Sequence, residues 1–153
     1  MDKTVKEYKI SAIKEGTVID HITPESTFKV IEILDLDKNK EIISVANNLQ
    51  SSKLGKKGIV KIGSKFLGEE AVNKIAIIAP NATLNIIRDY KVVQKLKLKI
   101  PGRIEGTLKC FNPNCITNLE KVDTKFKVTS SNPLKLLCNY CERIMKREDI
   151  VLL

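Results

Sequence analysis

The sequence predicts an α+β chain in two parts: an antiparallel sheet covered by two helices, then a small all-β unit built on four cysteines. Three observations carry this. Period-two and period-3.6 apolar patterns alternate through the first hundred residues. A Pro-Gly pair at positions 101 and 102 follows the last of them. All four cysteines lie beyond that pair, at 110, 115, 138 and 141. With 42% apolar and 29% charged residues the composition is that of an ordinary globular chain, which excludes disordered, collagenous and coiled-coil readings.

Tyr8 to Ile13 alternates as a half-buried strand, Glu15-Gly16 offers a turn, and Thr17 to Ile22 reads as a second strand. A helix is expected next, with Thr23 as N-cap, Pro24 at the first helical position and Glu25 in the first turn. Phe28, Ile31 and Leu34 recur at helical spacing, and the helix should end near Asp35. Asp37 to Lys40 is turn-like, Glu41 to Ala46 is β-rich, and a polar Gly/Ser/Lys loop leads to an alternating Gly58 to Ile62. Gly68-Glu69-Glu70 opens an amphipathic helix that must stop by Ala79, because Pro80 follows. Strands at Ala82 to Ile87 and Tyr90 to Leu98 flank Arg88-Asp89. The order β, α, β, β, α, β with an extra strand predicts a ferredoxin-like sandwich, its sheet on one side and two helices on the other. The domains expected are 1–101 and 102–153, joined at Ile100-Pro101-Gly102.

Lys and Arg number 27 against 18 Asp and Glu, a net charge of +9 that favours anionic partners without choosing among them. The densest basic stretch holds Arg88, Lys91, Lys95, Lys97, Lys99 and Arg103. Alternating lysines of this kind also serve simply to keep an edge strand from aggregating. No apolar run approaches the roughly 18 residues of a membrane span, and the charged N-terminus lacks a signal-peptide apolar region, so a cytoplasmic protein is expected.

The cysteine spacing C-x4-C-x22-C-x2-C makes two knuckles that can aim four thiolates at one ion, as structural zinc requires. Disulfides are disfavoured in a reducing compartment. Four thiolates close the coordination sphere, so the ion holds structure rather than activates water. A unit this small needs such a staple, and zinc binding and folding should be one event. No Walker or Rossmann glycine pattern is present. Gly55-Lys56-Lys57-Gly58 matches a KH-type GXXG only in letters, because it runs into a strand. Aromatics are 5% with no Trp, which weakens a base-stacking platform for nucleic acid. His21 is the only histidine, and no nucleophile–base pair is readable.

The run Ala12-Ile13-Lys14-Glu15-Gly16-Thr17-Val18-Ile19-Asp20-His21-Ile22, together with Cys110-Phe111-Asn112-Pro113-Asn114-Cys115 and Cys138-Asn139-Tyr140-Cys141-Glu142, resembles the aspartate carbamoyltransferase regulatory chain family over essentially the full length. The resemblance implies a non-catalytic chain. Its N-terminal domain would form a homodimer and bind CTP, UTP or ATP, and its zinc domain would grip the catalytic chains of an enzyme that begins pyrimidine synthesis. Two catalytic trimers and three regulatory dimers would make a dodecamer, with no nucleic acid or membrane partner.

By the same resemblance Asp20 and Lys61 contact the ribose, and His21, Asn85 and Lys95 the phosphates. Ile10, Ala12, Ile13, Ile87 and Tyr90 surround the base, and Val18 and Val92 complete the wall. A triphosphate wants several cationic donors and a ribose wants a carboxylate, so the residue types suit the roles. An imidazole beside a polyanion favours its charged form, which would make binding pH-sensitive. Magnesium can accompany the nucleotide. Cys110, Cys115, Cys138 and Cys141 hold the zinc, and Asn112, Asn114, Glu142 and Arg143 meet the catalytic chains. Phe111 stands where proline commonly follows the first cysteine, and Arg143 where lysine is usual. The alternative from another class is a zinc-ribbon nucleic-acid-binding or transcription accessory protein, whose binding would weaken steeply with salt.

Overall fold

A computed structural model of the chain describes residues 12–153. The expected strand at Tyr8 to Ile13 therefore lies mostly outside the described residues. The chain divides into two compact units, with the boundary between Lys99 and Ile100. Among the described residues no helix is long and apolar enough to cross a membrane.

Among the described residues the first unit holds a five-stranded sheet: β1 (Gly16–Ile22), β2 (Ile43–Ser51), β3 (Gly55–Gly63), β4 (Thr83–Arg88) and β5 (Lys91–Lys97), in spatial order β2-β3-β1-β4-β5. Every neighbouring pair is antiparallel. Helix α1 (Thr27–Ile33) follows β1 and helix α2 (Glu69–Ile78) follows β3. The first four strands and two helices thus make the ferredoxin-like arrangement, and β5 extends it as a hairpin partner of β4. The β4–β5 turn, Asp89-Tyr90, has φ of 51° and 64°, both positive as the tightest hairpin turns require.

α2 matches the sequence expectation. α1 does not: it begins at Thr27, one turn later than a Thr23 cap would place it. Residues 23–26 form a separate turn in which the Ser26 amide donates to the Thr23 carbonyl at 2.9 Å. The Thr23 hydroxyl donates to Ser26 Oγ instead of capping. A seven-residue helix then buries Thr27 and Val30, and Phe28 of the expected stripe stays 67% exposed. The polar segment expected to loop between Ala46 and Gly58 is mostly strand, since β2 runs to Ser51 and β3 starts at Gly55. A bulge in β2 between Ala46 and Leu49 breaks the period there and hides the strand's second half from a pattern reading.

The core on the helix side holds Ile19, Ile22, Val30, Val60, Ile62, Ile75, Ala76 and Leu84, all fully buried. A buried Ile or Leu side chain contributes about 1.5–3 kcal/mol, so this layer fixes the strand register.

The second unit contains β6 (Arg103–Glu105), β7 (Leu108–Lys109), β8 (Lys125–Ser131), β9 (Leu134–Cys138), β10 (Ile144–Lys146) and β11 (Val151–Leu152). They form a four-stranded sheet, β10-β9-β8-β6, and a β11-β7 pair. One short helical turn, α3 (Ile116–Leu119), follows the second cysteine. Ile104, Leu108, Phe126, Leu134, Leu136 and Met145 make a small core.

Candidate functional site

Residues directly opposite each other on paired strands share a face. Lys61 of β3 lies opposite Val18 of β1, Val18 opposite Asn85 of β4, and Asn85 opposite Lys95 of β5. These four therefore form one line across four strands, about 14 Å long at the usual strand spacing. The line lies on the face away from the helices, because Val18 packs with Ile59 and Ile87, and with half-buried Ile13, Ala46 and Leu49.

One strand-step along β1, Asp20 lies opposite Thr83. Its Oδ1 accepts from Lys57 Nζ at 2.8 Å and from the His21 amide at 2.6 Å. A bulge with His21 at φ 57° lets consecutive residues serve one face, and His21 Nδ1 meets Thr83 Oγ1 at 3.0 Å. Toward the other end of β1, Ile87 lies opposite Gly16 and Val92. Val92 and Tyr90 are exposed, Ala12 is exposed and Ile13 is half-buried. Ile10 lies outside the described residues. A cleft of about 570 Å³ opens between residues 12–15 and the edge formed by Glu41, Ile42, Ser44, Gly63 and Ser64. It adjoins the line, since Ser44 is the cross-strand neighbour of Lys61.

Two features distinguish the polar groups of this line. Burial lowers the Lys61 pKa, with Asp20 pulling it back up. Asn85 Oδ1 is buried and meets no donor among the described residues. A buried acceptor left so is costly in a native protein and marks a place for a ligand or water.

The sequence reading missed Lys57, Thr83 and Ile59. Lys57 was hidden in a segment read as a loop. The alternation Lys57, Ile59, Lys61 is the signal that places it beside Lys61 on one face.

In the second unit the four cysteine sulfurs lie within 4.8 Å of one another. Cys110 and Cys141 Sγ are 3.7 Å apart, and Cys115 and Cys138 Sγ 3.8 Å. A tetrahedron with bonds of about 2.3 Å has edges of about 3.8 Å, whereas a disulfide would bring sulfurs to about 2.05 Å. The cage thus fits a four-coordinate thiophilic ion, and these residues would hold it.

The knuckles are shaped by short bonds. Asn112 Oδ1 accepts the Asn114 amide at 3.1 Å, and the Cys115 amide donates to the Asn112 carbonyl at 3.0 Å. Asn118 Nδ2 donates to the carbonyls of Cys110 and Asn112 at 2.9 and 2.7 Å. The Thr117 hydroxyl meets Cys115 Sγ at 3.2 Å. Glu142 turns the second knuckle at φ 60°. Burial pushes the Cys110 thiol up to about 12 and raises Cys138 too. Burial also opposes charge at Cys141, but the Arg143 amide, the Asn112 side chain and the neighbouring thiols hold it down to about 7. A central cation would deprotonate all four. Asn114, Glu142 and Arg143 are exposed, while Asn112 is 8% exposed and committed to the knuckle.

Residues 8–99 match the family description "Aspartate carbamoyltransferase regulatory chain, allosteric domain", and residues 102–151 match "Aspartate carbamoyltransferase regulatory chain, metal binding domain". The chain belongs to the aspartate carbamoyltransferase regulatory chain family. The family's regulatory chain from Pyrococcus horikoshii is 61% identical over 147 residues, covering 95% of this chain and 97% of the relative. Those of Thermococcus onnurineus and Methanopyrus kandleri are 56% and 49% identical, covering 95% and 93% of this chain and 97% and 92% of theirs. This regulatory chain is accordingly a non-catalytic subunit with an allosteric domain carrying the charged line and a metal-binding domain carrying the four cysteines.

Proposed function

We propose that the line Lys61, Val18, Asn85 and Lys95 receives the effector nucleotide, and that the metal domain carries the resulting signal to catalytic chains. The observation that carries this reading is the line itself. It sets two cations and an orphaned buried acceptor on one face, beside the apolar patch of Val18, Ile59 and Ile87. A nucleoside triphosphate offers matching chemistry: anionic oxygens for Lys95, His21 and the Asn85 amide nitrogen, hydroxyls for Asp20 and Lys61 and for the Asn85 Oδ1 that lacks a donor, and a flat base for the apolar residues and the cleft at Ala12 and Ile13. Tyr90, Ile87 and Val92 border the same end. Lys57 joins the cations through Asp20. CTP and UTP act as inhibitors and ATP as activator, with magnesium accompanying the phosphates where charge demands it.

The metal is zinc, the commonest occupant of a tetrahedral four-thiolate cage. It folds the knuckles that present Asn114, Glu142 and Arg143 to the catalytic chain, with Asn112 acting from beneath. Regulation requires that nucleotides bind two quaternary states unequally. A dodecamer of two catalytic trimers and three regulatory dimers in the cytoplasm supplies those states.

The test is reconstitution of zinc-loaded chain with its catalytic chains, followed by carbamoyltransferase assays over aspartate concentration with and without CTP and ATP. The expected result is a shift of the aspartate response in opposite directions. An unchanged response to every nucleotide, with the complex intact, would sink the proposal.

A further inference from the structure

Strands β1, β2 and β3 meet at an irregular point beside the Lys61 end of the line. β1 has two residues, Asp20 and His21, where β3 has Ile59 alone, because Ile19 pairs with Val60 and Ile22 with Gly58. β2 has Asn47 and Asn48 where β3 has Gly58 alone, because Ala46 pairs with Ile59 and Leu49 with Lys57. Two bulges thus flank one stretch of β3. Each contains a non-glycine residue in left-handed backbone, His21 at φ 57° and Asn48 at φ 60°. Such backbone persists only where its surroundings over-determine it.

Asp20 supplies one restraint by accepting the His21 amide. The other comes from Asn47. Its Oδ1 accepts from the fully buried Thr27 hydroxyl at 2.9 Å, and its Nδ2 donates to the Pro24 carbonyl at 3.1 Å. Pro24 lies three residues beyond His21, in the turn that leaves β1. Gly58 leaves room for this bond, since a Cβ there would overlap Thr27 Oγ1 and come within 2.8 Å of Asn47 Oδ1.

We propose that Asn47 is a positioning residue for the anion end of the effector site, tying the β2 bulge to the turn after His21 and so holding the β1 bulge. If β1 relaxed to regular pairing, the one-residue slip would turn His21 to the opposite face of the sheet, away from Asp20 and Thr83. Sequence alone gave no hint of this, because Asn47, Thr27 and Gly58 come from three separate elements. The inference rests on the nucleotide reading of this site, and its test is built to separate the two.

The test uses the full zinc-loaded chain and the variants Asn47→Ala, Thr27→Val and Thr27→Ser. Calorimetric affinities are measured for CTP and for cytidine, which has no phosphates. In parallel, NMR follows the His21 ring signals without ligand. Asn47→Ala and Thr27→Val should lose about tenfold in CTP affinity, the size of one charge-assisted hydrogen bond. Cytidine should change far less, and Thr27→Ser should behave as the parent. Equal loss for CTP and cytidine, or an undiminished CTP affinity in Asn47→Ala, overturns the proposal. If Asn47→Ala does not fold, Thr27→Val against Thr27→Ser decides by the same criteria. If the parent chain binds no nucleotide, the effector reading falls and the His21 signals decide: shifts in Asn47→Ala and Thr27→Val but not Thr27→Ser support positioning, and unmoved signals refute it.

Discussion

Lys61 carries its charge where burial resists it, and the carboxylate of Asp20 works in the opposite direction. A lysine whose folded pKa is lowered weakens the folded state while protonated. That penalty is full below the lowered value and fades as pH rises toward the ordinary 10.5. Lys61→Met should therefore leave the ligand-free chain at least as stable at pH 7. Its CTP affinity should fall by about tenfold or more, the loss of one charged hydrogen bond. Thermal melting and calorimetry on the same sample check both halves, and a lower melting temperature with unchanged affinity would make the lysine structural. At this scale the cysteines were fully legible, because their spacing along the chain is itself the geometry of the knuckles. Lys57 was not, since its partner Asp20 is 37 positions earlier and only strand pairing brings them to 2.8 Å.

Among the elements, β1 is the strand on which everything in the first unit converges, pairing with β3 on one side and β4 on the other. It opens with Gly16 at φ 140°, opposite both Gly63 and Ile87. A Cβ there would overlap the Ile62 carbonyl oxygen and lie 3.1 Å from the Ser64 nitrogen. Gly16→Ala should cost at least about 2 kcal/mol, through strained backbone and displaced pairing together. A urea midpoint within error of the parent would show that the strand end yields instead. The same elements show what local pattern can carry. α2 was readable because Glu69 and Glu70 at its start and Pro80 beyond its end are local signals. α1 was misplaced because its first turn is claimed from afar by Asn47, and no local rule sees a bond across 23 residues. The end of β2 was lost because a bulge shifts the period just where the alternation is being counted, and the start of β3 because Gly55-Lys56-Lys57 offers no apolar residue to count.

At the scale of the molecule the two units have different supports. The first has a two-layer core around Ile19, Ile62 and Ile75, whereas the second buries few large side chains around Phe126 and Met145. Removal of metal by a chelator should therefore unfold residues 100–153 and leave the first unit folded. Hydrogen exchange mapped along the chain checks this, and protection retained in β8 and β9 after complete metal loss would refute it. The two-part organisation was visible in the sequence from the crowding of cysteines beyond Pro101. Which knuckle residues face outward was not, because Asn112 and Asn114 are two positions apart and only the turn between them decides that one is buried. The pairing of the sulfurs has a further consequence. An ion held by the four sulfurs would close the 22 residues between Cys115 and Cys138 into a ring, and closing a ring of that size costs about 3 kcal/mol of chain entropy. A disulfide would lock such a ring for as long as its oxidation lasted. A metal closes it by mass action, so the fraction of chains able to present the outward knuckle residues tracks the free concentration of the ion and recovers without any redox step.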